Sequence, residues 1–514
     1  MSRKVIGGIA VLAAAAIAML ALTQGAESID AAGNPAPDEL LGWDEIVADA
    51  RHSWFWTQIA DPYGASMLDA SLWMYQITGD EFYIDYIKSG FGDAPLEGTD
   101  RRLAVTVLAR LAMTDGSYAG QVSKAADAMM KEEIDQDTNL FYASDGRKEM
   151  YVPYDGAQGI EALLLAYEAT SDEKYLTQAK KTIYAVWDAR DRDTNLVPGW
   201  LYSDRASAKV QYMQHYGSAA FLKVVLHYYY LSEDEGARDI VRQYASALER
   251  YAWDGQRWNY RTDADGKPSG ALGELAEANF AKLDDALLLA HDLEGGSLGS
   301  AYLKAKGDYD STFQSGIILS NDLAKHSVYD DGTDHTAHQS VLRHVFPAVQ
   351  NPAMRLYSDT GNKTYIESLN AFYRSTIEHH KRDNGYAGAI DTYSFQDDQY
   401  DLSIDYRATG FIANKVFAMI APSDGVDIVW TRVGSARLQE PLMVHYDDAG
   451  RFNSVTFDLG NREISMDAVS GEGTIAFPGD IAGATQNGND YRAFKGNMLK
   501  TQEGTHSYSV RLTR

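Results

Sequence analysis

Residues 155–188 read DGAQGIEALLLAYEATSDEKYLTQAKKTIYAVWD, and their pattern decides the fold of most of the chain. Ile160, Leu163, Leu164 and Tyr167 recur at the spacing of one helix face. After a break, Tyr175, Ala179, Ile183 and Val186 do so again. The break, Thr170-Ser171-Asp172-Glu173, offers hydroxyl and carboxylate groups to the free N–H groups of a second helix. The stretch therefore reads as a helical hairpin closed by a tight turn. The same turn recurs as Thr78-Gly79-Asp80-Glu81 and as Thr360-Gly361-Asn362-Lys363. Each copy is followed by an aromatic at the same offset: Tyr83, Tyr175 and Tyr365. A hairpin with apolar residues on both helices cannot bury itself alone, so copies must stack on one another.

Helical patterning extends outward from this unit, from Trp43 to about Ile420. The spacing predicts helices near 43–58, 65–78, 80–89, 100–113, 117–134, 156–170, 172–189, 212–231, 235–252, 272–293, 299–324, 335–358, 362–380 and 403–420. Short turns near 79, 115, 171, 232, 294 and 361 alternate with long connections at 135–154, 190–211, 253–271 and 381–402. Helices that run alternately up and down then place every long loop on one rim. Two of these loops repeat a signature, Asp137-Thr138-Asn139-Leu140 and Asp193-Thr194-Asn195-Leu196, while Asp254-Gly255 and Asn384-Gly385 mark related turns. Long irregular loops in a compact domain are usually functional. A ring of hairpins with all its long loops on one rim makes a cup, floored by the N-terminal ends of the inner helices.

From about Val426 the pattern changes to short strand-like runs, among them Val426–Trp430, Leu442–Tyr446, Ser454–Phe457 and Tyr508–Leu512. The expected layout is a signal peptide or N-terminal membrane anchor at 1–26, a linker at 27–42, a mostly α toroid at 43–421, and a small antiparallel β domain with the pattern of a sandwich at 425–514. Arg3 and Lys4 precede an uncharged run from Val5 to Leu22, which marks export. Both a cleaved signal and a retained single anchor fit, because Thr23-Gln24-Gly25-Ala26 matches a cleavage site poorly. The body is then extracellular or at the cell surface. The net charge of −27 excludes nucleic acid or an anionic lipid surface as the main partner. With no cysteine, disulfides, thiolate catalysis and Cys-type zinc sites are excluded.

An exported ring of α-hairpins with a C-terminal β domain resembles the (α/α)6-toroid, or six-hairpin, glycosidase superfamily. The line from Asp155 through Leu163 and from Tyr167 through Leu176 looks like its hairpin consensus, and is similar also to N-acylglucosamine 2-epimerase-type rings. Phe280-Ala281-Lys282-Leu283-Asp284-Asp285-Ala286-Leu287-Leu288-Leu289 resembles another such hairpin. Adjacent Asp pairs on an inner helix also carry catalysis in toroidal endo-α-mannanases. The resemblance covers about residues 43–420 and implies an oligo- or polysaccharide as substrate, with no cofactor.

Glycoside hydrolysis needs one protonated carboxyl and one carboxylate acting as base or nucleophile. Asp155 and Asp405 stand where inner helices begin and are the first candidates, with Asp284 or Asp285 as substitutes; helix capping alone also explains Asp155 and Asp405. Glu274 and Glu277 read as solvated first-turn acids. Asp284 and Asp285 diverge by about 100° on a helix, so at most one can face the cup. His215, Tyr212, His335, His338, Tyr406 and Arg407 are candidates for binding sugar hydroxyls and stabilising charge, as are Trp200 and Trp258 on the long loops for stacking. His335, His338 and His344 sit near the start of one inner helix, and the spacing of three puts His335 and His338 on one face, as for two metal ligands or an acid/base pair. With no third ligand at a recognised spacing, no metal is assigned to them. Polar lining of a wet cavity accounts for the histidines equally, and pinning of loops accounts for the tryptophans. The high acidity disfavours a polyanionic substrate, which a local basic patch such as Arg343, Arg355 and Lys363 would offset. Three functions stay open: a glycoside hydrolase, a lyase or epimerase working through His or Tyr, and a non-catalytic glycan-binding protein.

Overall fold

The computed structural model describes residues 54, 68, 71–72, 74, 80–91, 101–114, 116–143, 148, 150–151, 153–199, 201–202, 215–255, 258–259, 278–294, 296–311, 339–341, 352–353, 355–356, 360, 362, 364–365, 392–394, 399–401, 426–430, 441–447, 454–458, 463–470, 474–476, 480–496 and 498–512. The predicted export segment and linker lie outside them.

Nine helices of eight or more residues fall among the described residues: α1 Glu81–Phe91, α2 Arg101–Thr114, α3 Ala119–Glu133, α4 Pro153–Thr170, α5 Glu173–Asp188, α6 His215–Ser232, α7 Glu235–Ala247, α8 Ala278–Leu293 and α9 Gly299–Asp308. From α2 onward they pair as hairpins, α2/α3, α4/α5, α6/α7 and α8/α9. The first member of each hairpin packs against the first member of the next, α2 on α4, α4 on α6 and α6 on α8. The second members back them from outside. This two-layered arc is the α/α-toroid arrangement.

Composition explains which helix goes to which layer. In α4 the consecutive residues Leu163, Leu164, Leu165 and Ala166 are all buried, and in α8 so are Leu287, Leu288, Leu289 and Ala290. A helix apolar on every side must be covered on every side. The second-layer helices carry only a stripe. In α5 it is Tyr175, Ala179, Thr182, Ile183 and Val186; in α7 it is Ala237, Ile240, Val241 and Tyr244.

The short turns repeat in detail. Ser171 and Glu233 occupy the left-handed region, at φ 55° and 53°. The following Asp172 and Asp234 cap their helices, accepting from the backbone N–H of Lys174 at 3.1 Å and of Gly236 at 3.0 Å. Asp80 and Asn362 accept in the same way from Phe82 and Thr364. At two of these turns the recurring tyrosine reaches back to the element before it. The Tyr175 hydroxyl donates to Asp127 at 3.1 Å, and the Tyr365 hydroxyl to Asp310, just past α9, at 2.5 Å.

The two long loops with the repeated signature are also copies of each other. Asp135 accepts from the backbone N–H of Asp137 and Thr138, and Asp191 accepts from Asp193 and Thr194. Asn139 and Asn195 take positive φ, 58° and 60°, which asparagine tolerates better than most residues. Strand β1 (Met150–Tyr151) pairs antiparallel with β2 (Leu201–Tyr202), stitching one long loop to the next.

Three expectations need correction. The helix predicted over 335–358 cannot begin at His335, because Gln339–Val341 is strand β3, paired with β4 (Thr392–Ser394), which pairs in turn with β5 (Gln399–Asp401). Residues of the 381–402 connection therefore pair with the preceding segment, and the helix-face argument for His335 and His338 goes with the lost helix. In the helices expected at 235–252 and 299–324, α-helix gives way to wider π turns at Leu248–Ala252 and at residues 309–311, and residues 312–324 lie outside the described ones. The helix expected at 403–420 lies outside the described residues.

The C-terminal region is antiparallel throughout its described strands. It comprises β6 Val426–Trp430, β7 Pro441–Asp447, β8 Ser454–Asp458, β9 Glu463–Ser470, β10 Thr474–Ala476, β11 Ile481–Gln486, β12 Asn489–Tyr491, β13 Phe494–Lys495, β14 Met498–Lys500 and β15 Thr505–Leu512. They form two five-stranded sheets, ordered β13-β14-β10-β7-β6 and β12-β11-β15-β9-β8. Asn487-Gly488, both at positive φ, closes the β11–β12 hairpin as the residue pair favoured for such turns.

Gly159 in α4 marks a close approach, since a Cβ there would overlap the ring of Phe141, itself buried under Arg102. Gly159→Ala should lower stability by about 1–3 kcal/mol. Phe141→Leu in the same chain should recover part of that loss. Thermal unfolding of the two single variants and the double variant checks the coupling.

Candidate functional site: a charged cluster on the inner helices

The residues singled out from sequence divide into three groups. Asp405, Tyr406, Arg407, Tyr212, His335, His338 and Trp200 lie outside the described residues. Asp155 and His215 are placed by backbone alone. His215 opens α6, and Asp155 is the third residue of α4, which begins at Pro153. Proline is favoured at a helix start, so Asp155 sits inside the first turn rather than at the cap. Asp284, Asp285 and Trp258 are described in full.

Asp284 faces outward from the inner layer. Its carboxyl accepts a 2.8 Å hydrogen bond from the Trp258 indole N–H, and both residues are essentially inaccessible, at 0% and 1% exposure. Burial pushes the Asp284 carboxyl well up, and the neighbouring Asp308 carboxyl at the end of α9 adds to the shift. Two buried carboxyls side by side cannot both ionise, so Asp284 is the neutral acid here. This corrects two expectations. Trp258 is no open stacking platform: it packs edge-on against Trp253 and fixes its loop between the helix layers. Asp284 points towards that outer layer and is not available to a ligand inside the ring.

Asp285 lies about 100° further round α8 and meets the inner neighbours instead. The Arg355 Nε donates to its carboxylate at 2.9 Å, and the Lys223 ammonium on α6 lies 2.5 Å away. Burial alone would raise this carboxyl, but Lys223 and Arg355 together overcome it and hold Asp285 below the ordinary carboxylate range. Adjacent residues of one helix thus carry a protonated acid on one side and a carboxylate on the other.

Lys282 completes the cluster. It is two residues before Asp284, roughly 160° away around the helix, and so faces the ring interior. It keeps partial exposure. Among the described residues no carboxylate closes an ion pair with it, and the charge acting on it is a second cation, Lys223. Burial and that like charge push the Lys282 ammonium down to about 8. One helix earlier, His227 on α6 is buried with its Nε2 3.6 Å from Glu168 of α4, and burial keeps it well below its usual range, hence neutral.

Sequence reading missed Lys223, Lys282 and Asp308. The available signal was a lone charge within an apolar run, as in Phe221-Leu222-Lys223-Val224-Val225-Leu226. Such a charge on a fully buried helix must meet a partner or line a cavity. Among the described residues no group of three or more His, Asp or Glu side chains is placed to hold a metal ion.

Two stability effects of opposite sign follow. Asp285→Asn leaves Lys223 and Arg355 uncompensated and should cost about 3–5 kcal/mol. Lys282→Met removes a shielded charge and should stabilise by about 1–3 kcal/mol near neutral pH. The folded lysine titrates near 8 and the unfolded one near 10.5. Between those values the folded chain holds fewer protons, so the parent gains stability as pH rises and the variant's advantage shrinks. Denaturant unfolding across that pH window measures both.

No family model and no curated protein matches the chain. Among solved structures it is similar to a cellobiose 2-epimerase from Spirochaeta thermophila DSM 6192, at 13% identity and a TM-score of 0.47 over 70% of this chain and 87% of that one. It is similar also to a GH76 α-mannanase from Bacteroides thetaiotaomicron, at 12% identity and a TM-score of 0.41 over 62% and 85% of the two chains. An unsaturated glucuronyl hydrolase from Bacillus sp. GL1 matches at 14% identity and a TM-score of 0.40 over 56% and 87%. At these identities and scores the likenesses do not decide an activity for this chain.

Proposed function

We propose that this chain is an exported carbohydrate-active enzyme that hydrolyses a glycosidic bond in an oligo- or polysaccharide. The observation that supports this reading is the charged cluster formed by Lys223 of α6, Lys282 and Asp285 of α8, and Arg355, set among buried apolar residues of those helices. A stable ring does not need it, because apolar residues of similar volume hold such positions at least as well. Asp155, in the first turn of α4, and Asp405, a candidate from the sequence, supply the acid and the base; Asp285 is the substitute for the ionised member. Asp284 leaves this set because it faces the outer layer. His215, His335, Tyr212 and Arg407 bind sugar hydroxyls.

A lyase or epimerase is the second reading, favoured by Lys282. An amine that titrates near 8 is partly unprotonated in mild alkali and can act as a general base.

A carbohydrate screen of the parent beside Asp155→Asn, Asp405→Asn and Lys282→Met separates the two. New reducing ends that fall at least about a hundredfold in an Asp variant support hydrolysis, a loss typical for removal of an acid–base group. Ultraviolet absorbance of an unsaturated sugar, or a changed epimer, lost in Lys282→Met, replaces it with the second reading.

A further inference from the structure

Among the described residues around Asp285, positive charge outnumbers negative, although the whole chain is strongly acidic. Lys223 and Arg355 converge on a single carboxylate, Asp285, one helical turn along α8 from Lys282. That carboxylate is already engaged twice, by Arg355 at 2.9 Å and by Lys223 at 2.5 Å, and is 2% exposed. It cannot also neutralise Lys282, three residues earlier on the same helix. Lys223 keeps 18% of its side chain exposed and Lys282 is also partly exposed. The two ammonium groups are therefore the accessible members, and they repel each other. Since Asp284, on the opposite side of α8, is buried against Trp258 and Asp308, the surface that Lys282 reaches belongs to the ring interior. A chain with a net charge of −27 has carboxylates to spare, yet none of the described ones is placed beside this lysine. Lys223 shares Asp285 with Arg355 and Lys282 has no described carboxylate partner, so the group holds an excess of positive charge that is costly unless a ligand brings an anion.

We propose that Lys282 and Lys223 form an anion-binding subsite inside the ring, which selects an acidic sugar through its carboxylate or sulfate ester group. The inference rests on the carbohydrate reading above and narrows the substrate to an anionic glycan. Asp285 and Arg355 act as positioning residues: the ion pairs hold Lys223 in place between α6 and α8. Low local dielectric strengthens the contact between the ammonium groups and the ligand.

Binding, read without turnover, tests this. The full chain is titrated calorimetrically with an oligogalacturonide, a sulfated galactan oligosaccharide and a neutral cello-oligosaccharide of matched length. The expected result is that at least one anionic ligand binds about tenfold or more tighter than the neutral one. Lys282→Met should abolish that advantage, while Lys282→Arg should keep most of it. Which anionic ligand gains identifies the carboxylate or the sulfate as the group recognised. Circular dichroism of both variants confirms folding, which Lys282→Met favours. Equal binding of all three ligands overturns the proposal, as does an undiminished anionic preference in Lys282→Met, or no binding at all. Should the Asp155 and Asp405 variants turn out as active as the parent, the hydrolase reading fails, while the charge preference is still decided by these titrations.

Discussion

Each hairpin in this chain carries apolar surface on more sides than its own two helices can cover, and the architecture answers that deficit. The first helix of a pair is buried over runs of consecutive residues, as α4 and α8 show, and needs two lateral neighbours and a backing helix. The second is apolar on one stripe and can face water with the rest. Given short turns on one rim, a layered arc of inner and outer helices satisfies both requirements. The burial of runs such as Leu163–Ala166 supplies the stabilisation. The repeated capped turns and the tyrosines that reach back to the preceding hairpin fix the spacing of successive copies.

Against this apolar background the charged cluster stands out energetically. Asp284 and Asp285 share a backbone segment, yet one side of α8 meets an acid and an indole and the other meets two cations. The resulting protonation states differ because their surroundings differ, not their chemistry. Ion groups taken out of water recover their desolvation cost only with close partners. Asp285 has them, and Lys282 has none among the described residues. The fold thus tolerates a local electrostatic deficit on the wall that faces the ring interior. Natural proteins tend to retain such costly arrangements where function requires them.

The sequence disclosed the hairpin repeat well because two independent local signals coincided: helical apolar spacing and a Thr/Ser-x-Asp/Asn turn. The repeated Asp-Thr-Asn-Leu loops were equally legible, since each residue there has a local job in capping or in positive φ. What failed was non-local. The pairing of Gln339–Val341 with Thr392–Ser394 joins segments about fifty residues apart, and nothing in the periodicity near His335 announces it. The fate of Trp258 was hidden for the same reason: an aromatic on a polar loop looks the same whether it stacks on a sugar or turns inward to meet Asp284. The direction of each Asp of the pair could be bounded by helix geometry but not assigned, because the assignment depends on which neighbours flank α8.

The β1–β2 pairing has a mechanical consequence. It joins the connection before α4 to the connection before α6 through main-chain hydrogen bonds, at the rim where the long loops gather. The two connections are thereby tied to each other. Displacing either one carries the other with it or breaks the pairing.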